Sequence, residues 1–150
     1  MNTLKEQINS KECPHCQRVR EAISGQLGRL LYQTDNVIVI AGDHQFFPGY
    51  CVVIAKVHTR EMHDLPSGEA TAMFQEVLNV GRTVQGGFRC LKMNYASLGN
   101  VDEHLHWHVI PRYASDPDHK EHPWKNAAIF ADYPTTPEAV AKLRSLFPTS

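Results

Sequence analysis

The chain has 150 residues, 42% of them hydrophobic and 21% charged, enough for one globular unit that buries about 68–70% of its unfolded surface. Fifteen Lys and Arg against 16 Asp and Glu leave a net charge of −1, which excludes the basic face of a sequence-independent nucleic-acid binder. No apolar run approaches the roughly 18 residues of a membrane span, and the polar opening stretch 1–11 has no apolar leader core. Of Cys13, Cys16, Cys51 and Cys90 only the first two are closely spaced, which argues against a disulfide framework and for a reducing, cytoplasmic setting. The expected organisation is a single domain over 1–150. Its N-terminal segment 1–27 carries Cys-x-x-Cys, and its tail 113–150 is proline-rich.

In chain order, Val19, Ala22, Ile23 and Leu27 recur at near-helical spacing and predict a short helix over 17–27. Residues 30–32 and Val37–Ala41 read as strands joined by a hairpin turn, Gln33-Thr34-Asp35-Asn36. A third strand, 50–55, follows Pro48-Gly49. Met73, Val77, Val80 and Val84 then mark an amphipathic helix over 66–84. Ser67 and Glu69 suit its start, and Gly86-Gly87 its end. Strand character resumes over 90–98 and 104–112. The last forty residues hold six of the nine prolines and are expected to be mostly irregular cover, with a short helix over 137–146. Strands, one long helix, then strands describe an α+β fold with an antiparallel sheet.

The segment His104-Leu105-His106-Trp107-His108-Val109-Ile110 carries the strongest chemistry. Strand alternation puts His104, His106 and His108 on one face and Leu105, Trp107 and Val109 on the other. That pattern fits a half-buried strand whose polar face lines a site. Same-face neighbours stand about 6.8 Å apart, too far for His104 and His108 to share one metal readily.

This segment resembles the His-x-His-x-His-x-x signature of the histidine-triad family, an α+β fold, usually homodimeric, that hydrolyses or transfers nucleoside monophosphates. The resemblance runs from about residue 13 to about 124. It includes Asn94 on the strand before the triad and Gly99-Asn100 in the loop leading into it. Pro111-Arg112-Tyr113, Asp116-Pro117 and Pro123-Trp124 resemble a bacterial branch associated with diadenosine polyphosphate hydrolysis.

The resemblance implies that His106 is the nucleophile toward the α-phosphorus, giving a nucleotidyl-histidine that water hydrolyses. An imidazole with a usual pKa near 6.5 offers the neutral nitrogen this needs. His108 corresponds to the member that contacts phosphate or leaving group, as donor and acid or in an orienting role alone. Gly99 and Asn100 correspond to donors to the phosphate oxygens, and Asp43 to the acidic residue that accepts from the ribose hydroxyls.

Three readings of Cys13-Pro14-His15-Cys16 stay open: a redox dithiol, half of a zinc site, or a plain thiol pair. No strand precedes it over 5–12, as a redox motif requires. In the resemblance the zinc set is completed by His58 and His104, a closed Cys2His2 site. Cys51 and Cys90 read as buried packing.

Two positions depart from the family pattern. Tyr50 follows Pro48-Gly49 where many members have His, and Val101 stands where many have Ser or Thr. Asp102 and Glu103 would repel an anionic substrate, so at least one is expected to face solvent or a cation. Tyr32, Phe46, Phe47, Phe74 and Trp107 read as core, with Phe46 or Phe47 as candidates to border a base pocket. His44, His63, His119 and His122 read as solvated.

The leading function is a hydrolase acting on dinucleoside polyphosphates or related nucleotidyl compounds, with no nucleic-acid or membrane partner. The alternatives are a nucleotide-binding module with little turnover and a Cys-x-x-Cys thiol oxidoreductase. His106 together with Asn94 favours the enzyme.

Overall fold

The computed structural model describes residues 13–148. The polar stretch 1–11 and the run 5–12 before the cysteine motif lie outside the described residues. No helix among the described residues is long and apolar enough to cross a membrane.

Helix α1 (Pro14–Ile23) begins three residues earlier than the apolar spacing predicts. The Cys13 thiol caps it, accepting from the Cys16 N–H at 3.4 Å, and Pro14 occupies the first turn, where its missing N–H costs nothing. Gly25, at φ +77°, follows the helix end. The buried face is His15, Cys16, Val19 and Ala22.

The strands β1 (Leu30–Gln33), β2 (Val37–Ala41), β3 (Cys51–Ala55), β4 (Lys92–Ala96) and β5 (His106–Arg112) form one antiparallel sheet in the order β1-β2-β3-β5-β4. The β1–β2 turn is built on Thr34, whose hydroxyl accepts from the N–H groups of Asn36 and Val37, each at 3.2 Å. Strands β2 and β3 are buried at every residue, since both faces of the sheet are covered. On one face, Val37, Val39, Val53 and Val109 pack against helices α2 (Ser67–Phe88) and α3 (Pro137–Ser145) through Met73, Val77, Val80, Val140 and Leu143. On the other, Ile38, Ile40, Val52, Ile54 and Ile110 meet Val19 and Ala22 of α1, with Trp124 and Phe130 alongside.

Further boundaries differ from the sequence reading. Helix α2 runs through Gly86-Gly87 to Phe88, and Arg89 takes the left-handed capping position at φ 52°. Gly87 serves packing instead: a Cβ there would meet Leu146 Cδ1 at 2.5 Å. Strand β4 is shorter than 90–98, and β5 begins at His106, which leaves His104 just before it. The tail has its expected short helix and one further stretch of regular structure. Pro123–Asp132 forms 3-10 turns, and α3 is capped by the Thr136 hydroxyl, which accepts from the Ala139 N–H at 3.1 Å.

A buried guanidinium ties the loop after β5 to the sheet. Arg112 donates to Asp116 Oδ2 at 3.1 Å, Asn94 Oδ1 at 3.0 Å, and the carbonyls of Glu121 and Asp118 at 2.7 and 2.8 Å. Its carbon centre lies 5.0 Å from the Phe47 ring centroid.

Gly42, just after β2, lies directly against the Tyr50 ring: a Cβ there would stand 2.1 Å from Tyr50 Cδ1. Gly42→Ala is expected to push that ring aside and cost about 1–3 kcal/mol, read as a lower urea midpoint at unchanged m-value. An unchanged midpoint would mean that the ring yields freely.

Candidate active site and metal cluster

Pairing of Ile54 with His106 and Val52 with His108 fixes β5 so that Leu105, Trp107 and Val109 face α2, while His106 and His108 face α1. His106 is 6% exposed. Its Nδ1 lies 2.6 Å from the carbonyl oxygen of His104. A carbonyl only accepts, so Nδ1 carries the proton and Nε2 keeps its lone pair. No described residue hydrogen-bonds that Nε2, and it is not sealed from solvent.

His108 is held in the opposite tautomer, by Tyr50. Burial holds the Tyr50 phenol protonated far above its usual range, and the hydroxyl stands 2.6 Å from His108 Nδ1. With the phenol as the donor, the His108 proton sits on Nε2. Burial first, then His106, pushes His108 down to about 4, with Asp43 opposing; the ring is neutral at pH 7. The His106 and His108 rings lie 4.9 Å apart, edge to face, and Trp124 closes on His108 at 5.2 Å. Tyr50 thus occupies the position of the departure noted in the sequence and is wired to the triad. That contact depends on strand register, which local sequence does not encode.

A fourth histidine joins these rings. His15, on the buried face of α1, lies 4.4 Å from His106 and 5.6 Å from His104, centroid to centroid. The sequence reading gave it no role. The available signal was its place between two cysteines at the opening of a helix.

The other anticipated site residues are distributed as follows. Gly99, at φ +68°, sits in the β4–β5 loop and lines an open cleft of about 220 Å³ with Ser97, Arg60 and His106. The Ser97 hydroxyl donates to the His106 carbonyl at 2.8 Å. Asn100 is exposed in the same loop. The Asn94 side-chain oxygen is taken by Arg112, which makes this asparagine a bridge between β4 and the following loop. Asp43 is exposed after β2 and acts on His108 and on Arg29 through its charge. Val101 is 93% exposed. Glu103 meets a cation as expected, pairing with Arg60 at 2.7 Å, a solvent-exposed contact worth about 0–1 kcal/mol.

Two readings need correction. His44 is half-buried, stacked on Phe130 at 4.0 Å, and accepts from the Phe46 N–H at 3.3 Å; aromatic burial lowers its pKa instead of solvating it. Phe74 is 43% exposed on α2, touching Trp107 edge-on, and is not core. Phe47 is buried in the α1-side core, whereas Phe46 is half-exposed beside Phe130 and Tyr133. His63, His119 and His122 are exposed. Cys51 is buried, and half-buried Cys90 contacts Met93 Sδ at 3.3 Å.

On the far side of His104, Cys13, Cys16, His58 and His104 bring one donor atom each within 4.8 Å of the others, close enough to bind a metal. Cys16 Sγ stands 3.2 Å from His58 Nδ1 and 3.4 Å from His104 Nδ1, and Cys13 Sγ stands 3.5 Å from His104 Nδ1. Such separations suit a tetrahedral ion with metal–sulfur bonds of about 2.3 Å and metal–nitrogen bonds of about 2.0 Å. The outer shell fits too. The Ala55 carbonyl accepts from His104 Nε2 at 2.6 Å, which leaves the Nδ1 lone pair aimed at the cluster. The donor set and its orientation match a closed structural metal site.

Comparison with known proteins bears on what this geometry serves. The HIT domain family model matches residues 25–115. An uncharacterized HIT-like protein of Saccharolobus solfataricus is 24% identical over 96 residues, 61% of this chain and 69% of that protein. An AP-4-A phosphorylase of Mycobacterium tuberculosis is 30% identical over 95 residues, 59% of this chain; the match spans only 46% of that enzyme. The crystal structure of a Zn-bound histidine triad family protein from Mycobacterium smegmatis superposes with a TM-score of 0.66 at 22% identity, covering 90% of this chain and 92% of that one. The antiparallel five-stranded sheet with its helices is the same fold. The chain belongs to the HIT family.

Proposed function

We propose that this protein is a nucleotide hydrolase or nucleotidyl transferase acting at the α-phosphate of dinucleoside polyphosphates, such as diadenosine tetraphosphate, or of related nucleotidyl compounds. The observation that carries this reading is the opposite locking of neighbouring rings. The His104 carbonyl leaves His106 a nucleophilic lone pair, and Tyr50 leaves His108 a donor N–H. The AP-4-A phosphorylase relative supports the substrate class.

In this mechanism His106 Nε2 attacks the α-phosphorus, forming a P–N bond. The P–O bond to the leaving group breaks with its electron pair on oxygen, and the His108 Nε2–H donates a hydrogen bond to that oxygen; a departing nucleotide leaves as its phosphate anion and takes no proton from the ring. The His104 carbonyl stabilises the positive charge that develops on the His106 ring. Water then attacks phosphorus and releases a proton to solvent, and the P–N electron pair goes back to His106 Nε2. Gly99, Asn100, Asn94 and Asp43 are proposed to bind the nucleotide around these rings. His104 contributes through its backbone carbonyl and, by its side chain, to the metal cluster.

Zinc is the proposed occupant of Cys13, Cys16, His58 and His104. A four-ligand zinc supplies cross-linking without an open position for water. The two thiols face two imidazoles, and burial raises Cys16 to about 12, opposite to the activated thiolate of a redox dithiol. A homodimer is the proposed assembly. Strand β4 is a sheet edge, and Tyr95 on it and Phe74 on α2 are exposed aromatics. A cytoplasmic location follows from the use of free thiols as ligands.

Phosphate release across dinucleoside polyphosphates, adenosine phosphoramidate and adenylyl sulfate tests the activity. His106→Ala is expected to lower kcat about 10³-fold or more and leave nucleotide affinity within about tenfold. Near-normal turnover would sink the mechanism. A protein that binds nucleotide tightly yet releases nothing from the panel would be a binding module.

Tyr50→Phe removes the donor that sets the His108 tautomer. It should cost about 10- to 100-fold in kcat at little change in KM, with Tyr50→His recovering part of the rate. Nitrogen-15 shifts of His108 should report loss of the single tautomer, and an unchanged tautomer would refute the role.

Metal analysis of purified protein should find about one zinc per chain, absent from a Cys13→Ser, Cys16→Ser variant. A chelator should lower Tm, since the ion ties α1 to the sheet across long loops. His58→Ala should weaken zinc less than the double cysteine change. No bound metal, with no stabilisation on adding zinc, would return Cys13 and Cys16 to plain thiols.

A further inference from the structure

His15 has the geometry of a substrate contact. It is 6% exposed, and its Nδ1 lies 3.1 Å from Arg18 Nη1. A guanidinium has only donors, so Nδ1 accepts and the ring proton is on Nε2. That Nε2 is buried and has no hydrogen-bond partner, the one such side-chain atom among the described residues. The Asp102 carboxylate is 3.9 Å away, beyond hydrogen-bond reach, on a side chain that is 40% exposed. Native chains rarely leave a buried donor unmet, and the exceptions call for a specific reason.

The location supplies one. The ring lies 4.4 Å from the ring of His106, and Asp102 belongs to the loop that carries Gly99 and Asn100. His15 is thus a direct neighbour of the ring through which His106 would bond its substrate. We propose that His15 is a fourth active-site histidine, whose Nε2–H donates to a non-bridging oxygen of the phosphoryl group that His106 attacks. The inference rests on the nucleotide reading above. An anionic oxygen meets the orphaned donor, and a donor aimed where charge accumulates stabilises the transition state more than the ground state. Arg18, bonded to Nδ1, holds the tautomer and polarises the ring toward donation. The same Cys-x-x-Cys turn thus presents its two sulfurs to the metal cluster and its histidine to the nucleophile.

His15→Phe keeps a ring against His106 but removes the donor. It is expected to lower kcat/KM on the best substrate of the panel about 100-fold. AMP binding should weaken about tenfold, with zinc content and Tm unchanged. His15→Gln, whose amide nitrogen donates from nearly the same place, should stay within about fivefold of the wild type. In the wild-type protein, the His15 Nε2–H resonance should shift downfield when AMP binds, a readout that needs no variant. A wild type that binds AMP with no shift at His15, or a His15→Phe protein with wild-type kinetics, would overturn the proposal and leave the nucleotide reading standing. If the wild type neither binds AMP nor turns over any panel compound, the nucleotide reading falls. His15 is then judged on inorganic phosphate alone: binding weakened in His15→Phe supports the donor, and binding that is unchanged or absent overturns it.

Discussion

An imidazole buried in the face of a sheet has two ring nitrogens to satisfy, and residues 104–108 turn three imidazoles toward α1, His104 and His106 buried and His108 partly so. The protein meets most of the demand internally. The Ala55 carbonyl takes one nitrogen of His104, the His104 carbonyl takes one of His106, and the Tyr50 hydroxyl takes one of His108. Each contact fixes a tautomer, and each tautomer fixes what the remaining nitrogen can do. His104 is left a lone pair facing sulfur, His106 a lone pair facing the site, and His108 a proton. Three chemically identical side chains thereby acquire different tasks from one acceptor, one acceptor and one donor.

The demand reaches beyond β5. Tyr50 delivers its hydroxyl only because Gly42 leaves room for its ring, and its burial keeps the phenol protonated. His104 faces two sulfurs only because Pro14 and the Cys13 cap start α1 at the sheet, with Cys16 on its buried face. Metal cluster and triad share a residue but not an atom: the His104 side chain turns to the cluster while its backbone carbonyl serves His106. An ion held there would therefore act on the nucleophile through position alone.

The parts of this arrangement that depend on periodicity were legible in the sequence. The β2 and β3 runs, the α2 stripe Met73, Val77, Val80, Val84, and the alternation around His106 all report local backbone geometry. The cluster of Cys13, Cys16, His58 and His104 was legible through family resemblance, because nothing local links residues so far apart in the chain. What escaped depends on contacts across elements. A thiol cap lies outside the usual Ser, Thr, Asp and Asn signals, so apolar spacing alone starts α1 three residues late and gives His15 no role. The glycine pair at 86 and 87 resembles a stop signal, yet Gly87 is required for the approach of Leu146. His44 looked like a loop histidine until the tail folded Phe130 onto it.

Charge around the site narrows the ligand chemistry further. The chain is nearly neutral overall, and its two carboxylates before the triad are dealt with separately: Glu103 by Arg60, Asp102 by partial exposure near His15. Arg18 lies against His15 and, with Arg29, acts on Tyr50 from the α1 side. Guanidinium groups thus act on His15 and Tyr50, the neighbours of the His106 and His108 rings, and the exposed carboxylate of Asp43 acts on His108. A ligand that is anionic at one end and rich in hydroxyl groups at the other matches both kinds of group at once. An anion alone would gain from Arg18 and His15 but lose against Asp43, and a neutral nucleoside would leave the His15 donor unmet. A nucleotide carries both groups in one molecule.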